Sequence, residues 1–315
     1  MNTQSNAMPD SFDAQGIAPA VLSATRPMYW SLRRELWENR SIYLAPLGAA
    51  GVFLVGFMIS LIGLPHKMRL WSSLGAMQQN HEALMRKDAI GMPYDFAAGL
   101  LMVTAMIVGA FYCLDALHGE RRDRSVLFWK SLPVSDLTTV LSKAIIAIVL
   151  LPLMAFVVTF VLQAVMLALS SAVVLGSGQS VATLWTQVAL LPMSVGLLYH
   201  LVTVHSLWHA PLYAWLLLVS AWARRLAILW AVLPLIAIGV VEKVAFNTTH
   251  FAHMIGNRFA GGPEAVTVAG KWAIDPMTHL TPGNYLLSPG LWIGLIVTAI
   301  FLAGAVRLRR SRGPM

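Results

Sequence analysis

Charge is scarce in this chain. Of 315 residues only 14 are acidic and 22 basic, 11% of the whole, against 57% hydrophobic, where soluble domains carry roughly a quarter charged residues. This excludes an ordinary soluble enzyme, and the absence of a basic face interleaved with aromatics leaves nucleic acid without a binding surface. Cysteine is nearly missing as well. Cys113 stands alone in an apolar run, so it can close no internal disulfide and reads as a small packing residue. The first 25 residues lack both a basic cluster and a long apolar core, so they do not read as a secretory signal, and a disordered tail over 1–26 is expected.

Catalytic signatures are also lacking. A phosphate loop needs GxxxxGK followed by Ser or Thr; the nearest stretch, GGPEAVTVAGKW, has Ala265 where the first Gly would stand and Trp272 after Lys271. His81 and Glu82 begin a zinc-protease-like string that fails at Met85. An intramembrane enzyme would need convergent ionisable groups at membrane depth, and the apolar runs offer little beyond Gln163, Ser194, Thr203 and Asp115. No catalytic residue and no metal ligand set is assigned.

Long apolar runs are what the chain has instead. Six spans are read, at about 44–64, 96–116, 144–172, 188–223, 226–243 and 288–306, with an outer loop over 244–287. The fourth holds 36 residues without Lys, Arg, Asp or Glu, and as straight helix it would measure about 54 Å, too long for one bilayer. Pro211 is the natural break. The far half is then expected along the interface, with Trp208, Tyr213, Trp215 and Trp222 as an aromatic belt. With both ends on the cytoplasmic side, fifteen of the 22 basic residues fall inside, as the positive-inside rule requires. The fold class is therefore an all-α integral membrane protein of six spans, with one membrane domain over 27–312.

Two flanking segments are amphipathic. Over 27–40, Tyr29, Leu32, Leu36 and Trp37 segregate from Arg33, Arg34, Glu38 and Arg40 on a 3.6-residue period, as in a helix lying in the interface. Between spans two and three the chain reads HGERRDRSVLFWKSLPVSDLTTVLSK: a charged turn, an apolar ridge of Val126, Leu127, Phe128, Trp129 and Leu132, a stop at Pro133, and Ser135 or Asp136 as cap of the next helix.

This loop resembles that of permeases of ATP-binding-cassette transporters, the type-2 exporter class, in Glu120, Arg121, Arg122, Ser125, Leu127, Phe128, Ser131, Leu132, Pro133, Val134, Ser135 and Lys143. The resemblance implies that the loop, with Trp129, is a cytoplasmic coupling helix docking on a separate ATPase subunit, with Glu120, Phe128, Trp129 and Leu132 as contact points. It implies that 28–40 is an elbow helix, that a second permease copy or homologue completes the assembly, and that ATP and Mg bind the partner ATPase, leaving no cofactor on this chain. A plasma membrane, the inner membrane of a bacterium, is the expected location, with membrane lipid as a further partner. Few buried charges point to an amphipathic or lipid-like cargo, or to mechanical work on a partner, with Gln163 the candidate pathway residue. A polytopic assembly factor or sensor without an ATPase is the alternative. His205 with His209, and His250 with His253, could each pair toward a metal or simply pack.

Overall fold

The computed structural model describes residues 25–66, 79–125, 127, 134–262 and 282–311. Among these residues 89% are helical and none forms a strand. Six helical stretches among the described residues are long and apolar enough to cross a membrane: Ser41–Leu61, Ile90–Arg122, Asp136–Gly176, Leu184–Trp208, Ala227–Phe246 and Pro289–Ser311. Backbone groups have no partners in hydrocarbon, so a chain this apolar satisfies them within helices.

In chain order, α1 (Thr25–Glu38) precedes the first span α2 (Ser41–Leu61). The second span lies in α3 (Gln79–Ala116), whose side chains are described from Ile90 on, followed by the one-turn α4 (His118–Arg122). The third is α5 (Asp136–Ile145), a π-helical stretch (Ile146–Leu150) and α6 (Leu151–Gly176). After the short α7 (Ala182–Gln187), the fourth span runs through α8 (Leu190–His200) into a second π-helical stretch (Leu201–Trp208), then α9 (Ala210–Trp222). The remainder is α10 (Ala227–Phe246), α11 (His250–Ala260), α12 (Pro282–Leu287) and α13 (Pro289–Ser311).

Both π-helical stretches come shortly before a proline, Pro152 and Pro211. A proline ring clashes with the carbonyl four residues back and lacks an N–H, and a locally widened helix relieves both. The two widened stretches also pack against each other. At His209 the fourth span breaks, as Pro211 predicts, but α9 does not lie along a surface. Its Tyr213, Ala214 and Leu217 are buried, and its main neighbours are α3 and α13. A helix apolar on every side loses most by being left at a polar boundary, so it takes a central place.

Span three begins at Asp136, eight residues before the expected 144, because Ser135 caps it: the Ser135 hydroxyl accepts a 3.0 Å hydrogen bond from the Thr138 N–H. Two large packed regions lie in the bundle beside smaller ones. One gathers Phe57, Leu61, Tyr94, Leu101, Met166 and Leu184; the other gathers Ile42, Tyr112, Cys113, Ile146, Tyr213 and Leu217. Tyr213 also packs over Gly109, where a Cβ would sit 2.9 Å from its ring.

Candidate functional site

Helix α4 stands at the foot of the loop between the second and third spans, and its side chains point two ways. Glu120 turns toward α1, α5 and α13. Its carboxylate meets Lys143 Nζ at 3.1 Å and Arg34 Nη2 at 3.1 Å, and it accepts a hydrogen bond from Arg309 Nη1. Arg121 turns toward α9, donating to the carbonyls of Ala221 at 2.8 Å and Ala223 at 3.3 Å. These are end-of-helix carbonyls without an intrahelical partner, where a cation is favourable. In return the Ser220 hydroxyl accepts from the backbone N–H groups of Leu117 and His118, at 3.0 and 2.8 Å, across the break between α3 and α4. One turn of helix thus touches the ends of α1, α5, α9 and α13.

Glu35 is the second centre of this cluster. Its side chain is 1% exposed, as Lys143 is 2% exposed, and the two meet at 2.7 Å. The same oxygen accepts from Arg34 at 2.7 Å, while the other accepts from the Tyr112 hydroxyl at 2.9 Å and from Asn39 Nδ2 at 3.4 Å. Asp136 closes the chain of contacts on Arg309 Nε at 2.9 Å, with Arg310 at 4.0 Å. Burial works against the Arg34 charge, but Glu35 first, then Glu38 and Glu120, outweigh it and hold the guanidinium above its ordinary value. Four carboxylates (Glu35, Glu38, Glu120, Asp136) face four cations (Arg34, Lys143, Arg309, Arg310). Desolvating an ion is costly unless its partners are in place, so these ion pairs tie the ends of α1, α4, α5 and α13 to one another.

Other residues singled out by sequence take separate places. Arg122 is exposed and pairs with Asp123 at 3.0 Å. The Ser125 hydroxyl donates to the Glu120 carbonyl at 3.3 Å, and Leu127 is exposed. Phe128, Trp129, Ser131, Leu132 and Pro133 lie outside the described residues, as does the tail over 1–24. On α1, Leu32 and Leu36 pack on the buried region around Tyr112, while Tyr29 and Trp37 face outward. Gln163 is buried and donates to the Tyr94 carbonyl at 3.1 Å, joining spans two and three. His205 shares a 3.0 Å hydrogen bond with the Tyr213 hydroxyl. His250 and His253 line an open groove along α11, and among the described residues no group of three His, Cys, Asp or Glu side chains could hold a metal ion.

Sequence reasoning missed Glu35, Asp136, Arg309, Tyr112 and Ser220 as partners. Their contacts span 77 to 189 residues of chain, a distance that periodicity does not reach. One signal was available: with only 14 acidic residues in the chain, three of them, Glu35, Glu120 and Asp136, stand at the mouths of spans. Comparison of the chain with protein-family models, with curated proteins and with solved structures returns no match.

Proposed function

We propose that this chain is the membrane-spanning permease subunit of an ATP-driven exporter of the ATP-binding-cassette type, working with ATPase subunits on separate chains and a second permease copy or homologue. The observation that supports it best is the placing of Glu120 and Arg121. A loop that passes force from a peripheral motor to a membrane bundle must be keyed to the spans at its foot, and here one turn is keyed to four helix ends. The motif residues divide accordingly. Glu120, Arg121, Ser135 and Lys143 fix the foot of the loop; Leu127 with Phe128, Trp129 and Leu132 supplies the apolar ridge that docks. Helix α1, clamped through Glu35 to Lys143, serves as the elbow that moves with span three. ATP and Mg bind on the partner, so the work done by this chain is mechanical, on an amphipathic cargo or on another protein.

Purification of the tagged full-length chain in mild detergent tests the association. The expected result is co-recovery of an ATPase carrying GxxxxGK[ST], lost in a Leu127→Asp/Leu132→Asp variant that still extracts as an intact, monodisperse protein. Repeated recovery of the intact chain without any ATPase would replace this reading with an assembly factor or sensor.

A further inference from the structure

Helix α1 has two faces of opposite character. The inner one carries the buried Glu35 with Leu32 and Leu36; the outer one presents Tyr29, Trp30, Arg33 and Trp37, with Trp37 69% exposed and Trp30 58%. On that outer face the Arg33 guanidinium carbon stands 5.4 Å from the Trp30 ring centre and 4.8 Å from that of Trp37. Tyr29 braces Trp30 edge-on at 5.5 Å. Both carboxylates of the helix are engaged elsewhere, Glu35 by Lys143 and Arg34, each at 2.7 Å, and Glu38 by Arg34 at 3.5 Å. Among the described residues Arg33 has neither an ion-pair partner nor a hydrogen-bond acceptor.

From this arrangement we infer that Trp30, Arg33 and Trp37 form a binding site for the phosphate of an anionic phospholipid headgroup. Position is the first reason. α1 ends two residues before the apolar span Ser41–Leu61, so its outer face is held at the level where a bilayer changes from hydrocarbon to headgroups, the depth at which Trp is favoured. Chemistry is the second. Two indoles attract the guanidinium through their faces and restrict it, while its N–H donors stay free to grip two phosphate oxygens in a planar fork. Charge is the third. The ring faces already hold a cation, so the ammonium of a zwitterionic headgroup finds its place taken, whereas an anionic headgroup brings no competing charge. The inference stands on α1 and its junction with the first span, and it goes beyond the exporter reading without depending on it.

Fluorine NMR on the full-length chain in lipid nanodiscs tests it. Tryptophans are replaced by 5-fluorotryptophan, and the Trp30 and Trp37 signals are assigned by Trp30→Phe and Trp37→Phe. Spin-labelled phosphatidylglycerol and spin-labelled phosphatidylcholine are then introduced separately at equal low mole fraction. The site predicts that phosphatidylglycerol broadens both signals about fivefold more than phosphatidylcholine, the ratio equivalent to the ~1 kcal/mol that one basic residue contributes at an anionic surface. Arg33→Gln should bring that ratio to one, Arg33→Lys should keep part of it, and Arg224→Gln, an exposed arginine elsewhere, should leave it unchanged. Equal broadening by the two lipids in the unsubstituted chain would overturn the inference. So would broadening by a water-soluble gadolinium chelate alone, which would make the face a water-exposed surface fit for a protein partner.

Discussion

Lys143 shows how much a single position can be asked to do. It sits inside the bundle with Glu35 at 2.7 Å and Glu120 at 3.1 Å, and neither carboxylate could be buried there without nearby cations. Lys143→Met should therefore cost about 3–5 kcal/mol, the penalty of leaving buried charge uncompensated, measured by reversible unfolding in mixed micelles. Adding Glu35→Leu should recover part of that loss. The double variant is expected to fall short of the sum of the singles by about 0.5–3 kcal/mol, the coupling that contacting charges show. Additive effects would mean that the pair contributes nothing to holding α1 against α5. At the same scale, Gly109→Leu should cost about 1–3 kcal/mol by overpacking, since even a Cβ there meets the Tyr213 ring at 2.9 Å.

Helices report on local sequence first, and here the prolines and caps were the readable part. Pro152 and Pro211 mark where regular helix gives way, and the structure widens the helix just before each. Ser135 was one of two candidate caps, and its hydroxyl fills that role for α5. Ser135→Ala should cost about 1 kcal/mol and raise amide exchange in the first turn of α5 more than in α6. What local sequence did not carry was the direction in which an element faces. Glu120 reads as part of a solvated, mixed-sign turn, yet its carboxylate is turned inward, because Arg34, Lys143 and Arg309 arrive from three distant helices. The same holds for α9. Its aromatics suited an interfacial belt, but the helix is buried against α3 and α13, an outcome of packing between segments far apart in the chain.

The whole molecule is a bundle whose six apolar helices are long enough to cross a membrane, and charge predicts its orientation. Fifteen of the 22 basic residues fall on one side when both ends share it, so the positive-inside rule predicts the labelling pattern of single cysteines in a Cys113→Ser background. An impermeant maleimide applied from outside should label Ala265→Cys in intact cells, and should label Arg312→Cys only after the membrane is opened. The reverse pattern would invert the topology and remove the 120–135 loop from the reach of any cytoplasmic ATPase. At this scale the two ends of the bundle differ in kind. The end around Glu120 is joined by ions. At the other side of the fourth-span break Arg258 stacks on the Trp208 ring at 4.2 Å and donates to the carbonyls of Trp208 and Gly290, while Trp208 donates to the Asn257 carbonyl at 3.1 Å. α9 and α13 pack side by side and join the two ends.

If Glu120 transmits and the apolar ridge docks, the ATPase rate of the assembled complex in nanodiscs separates the two roles. Glu120→Gln should retain the ATPase partner at the unsubstituted stoichiometry yet lower hydrolysis at least tenfold, whereas Leu127→Asp/Leu132→Asp should lose the partner outright. A Glu120→Gln complex that hydrolyses ATP at the unsubstituted rate would mean that Glu120 transmits nothing.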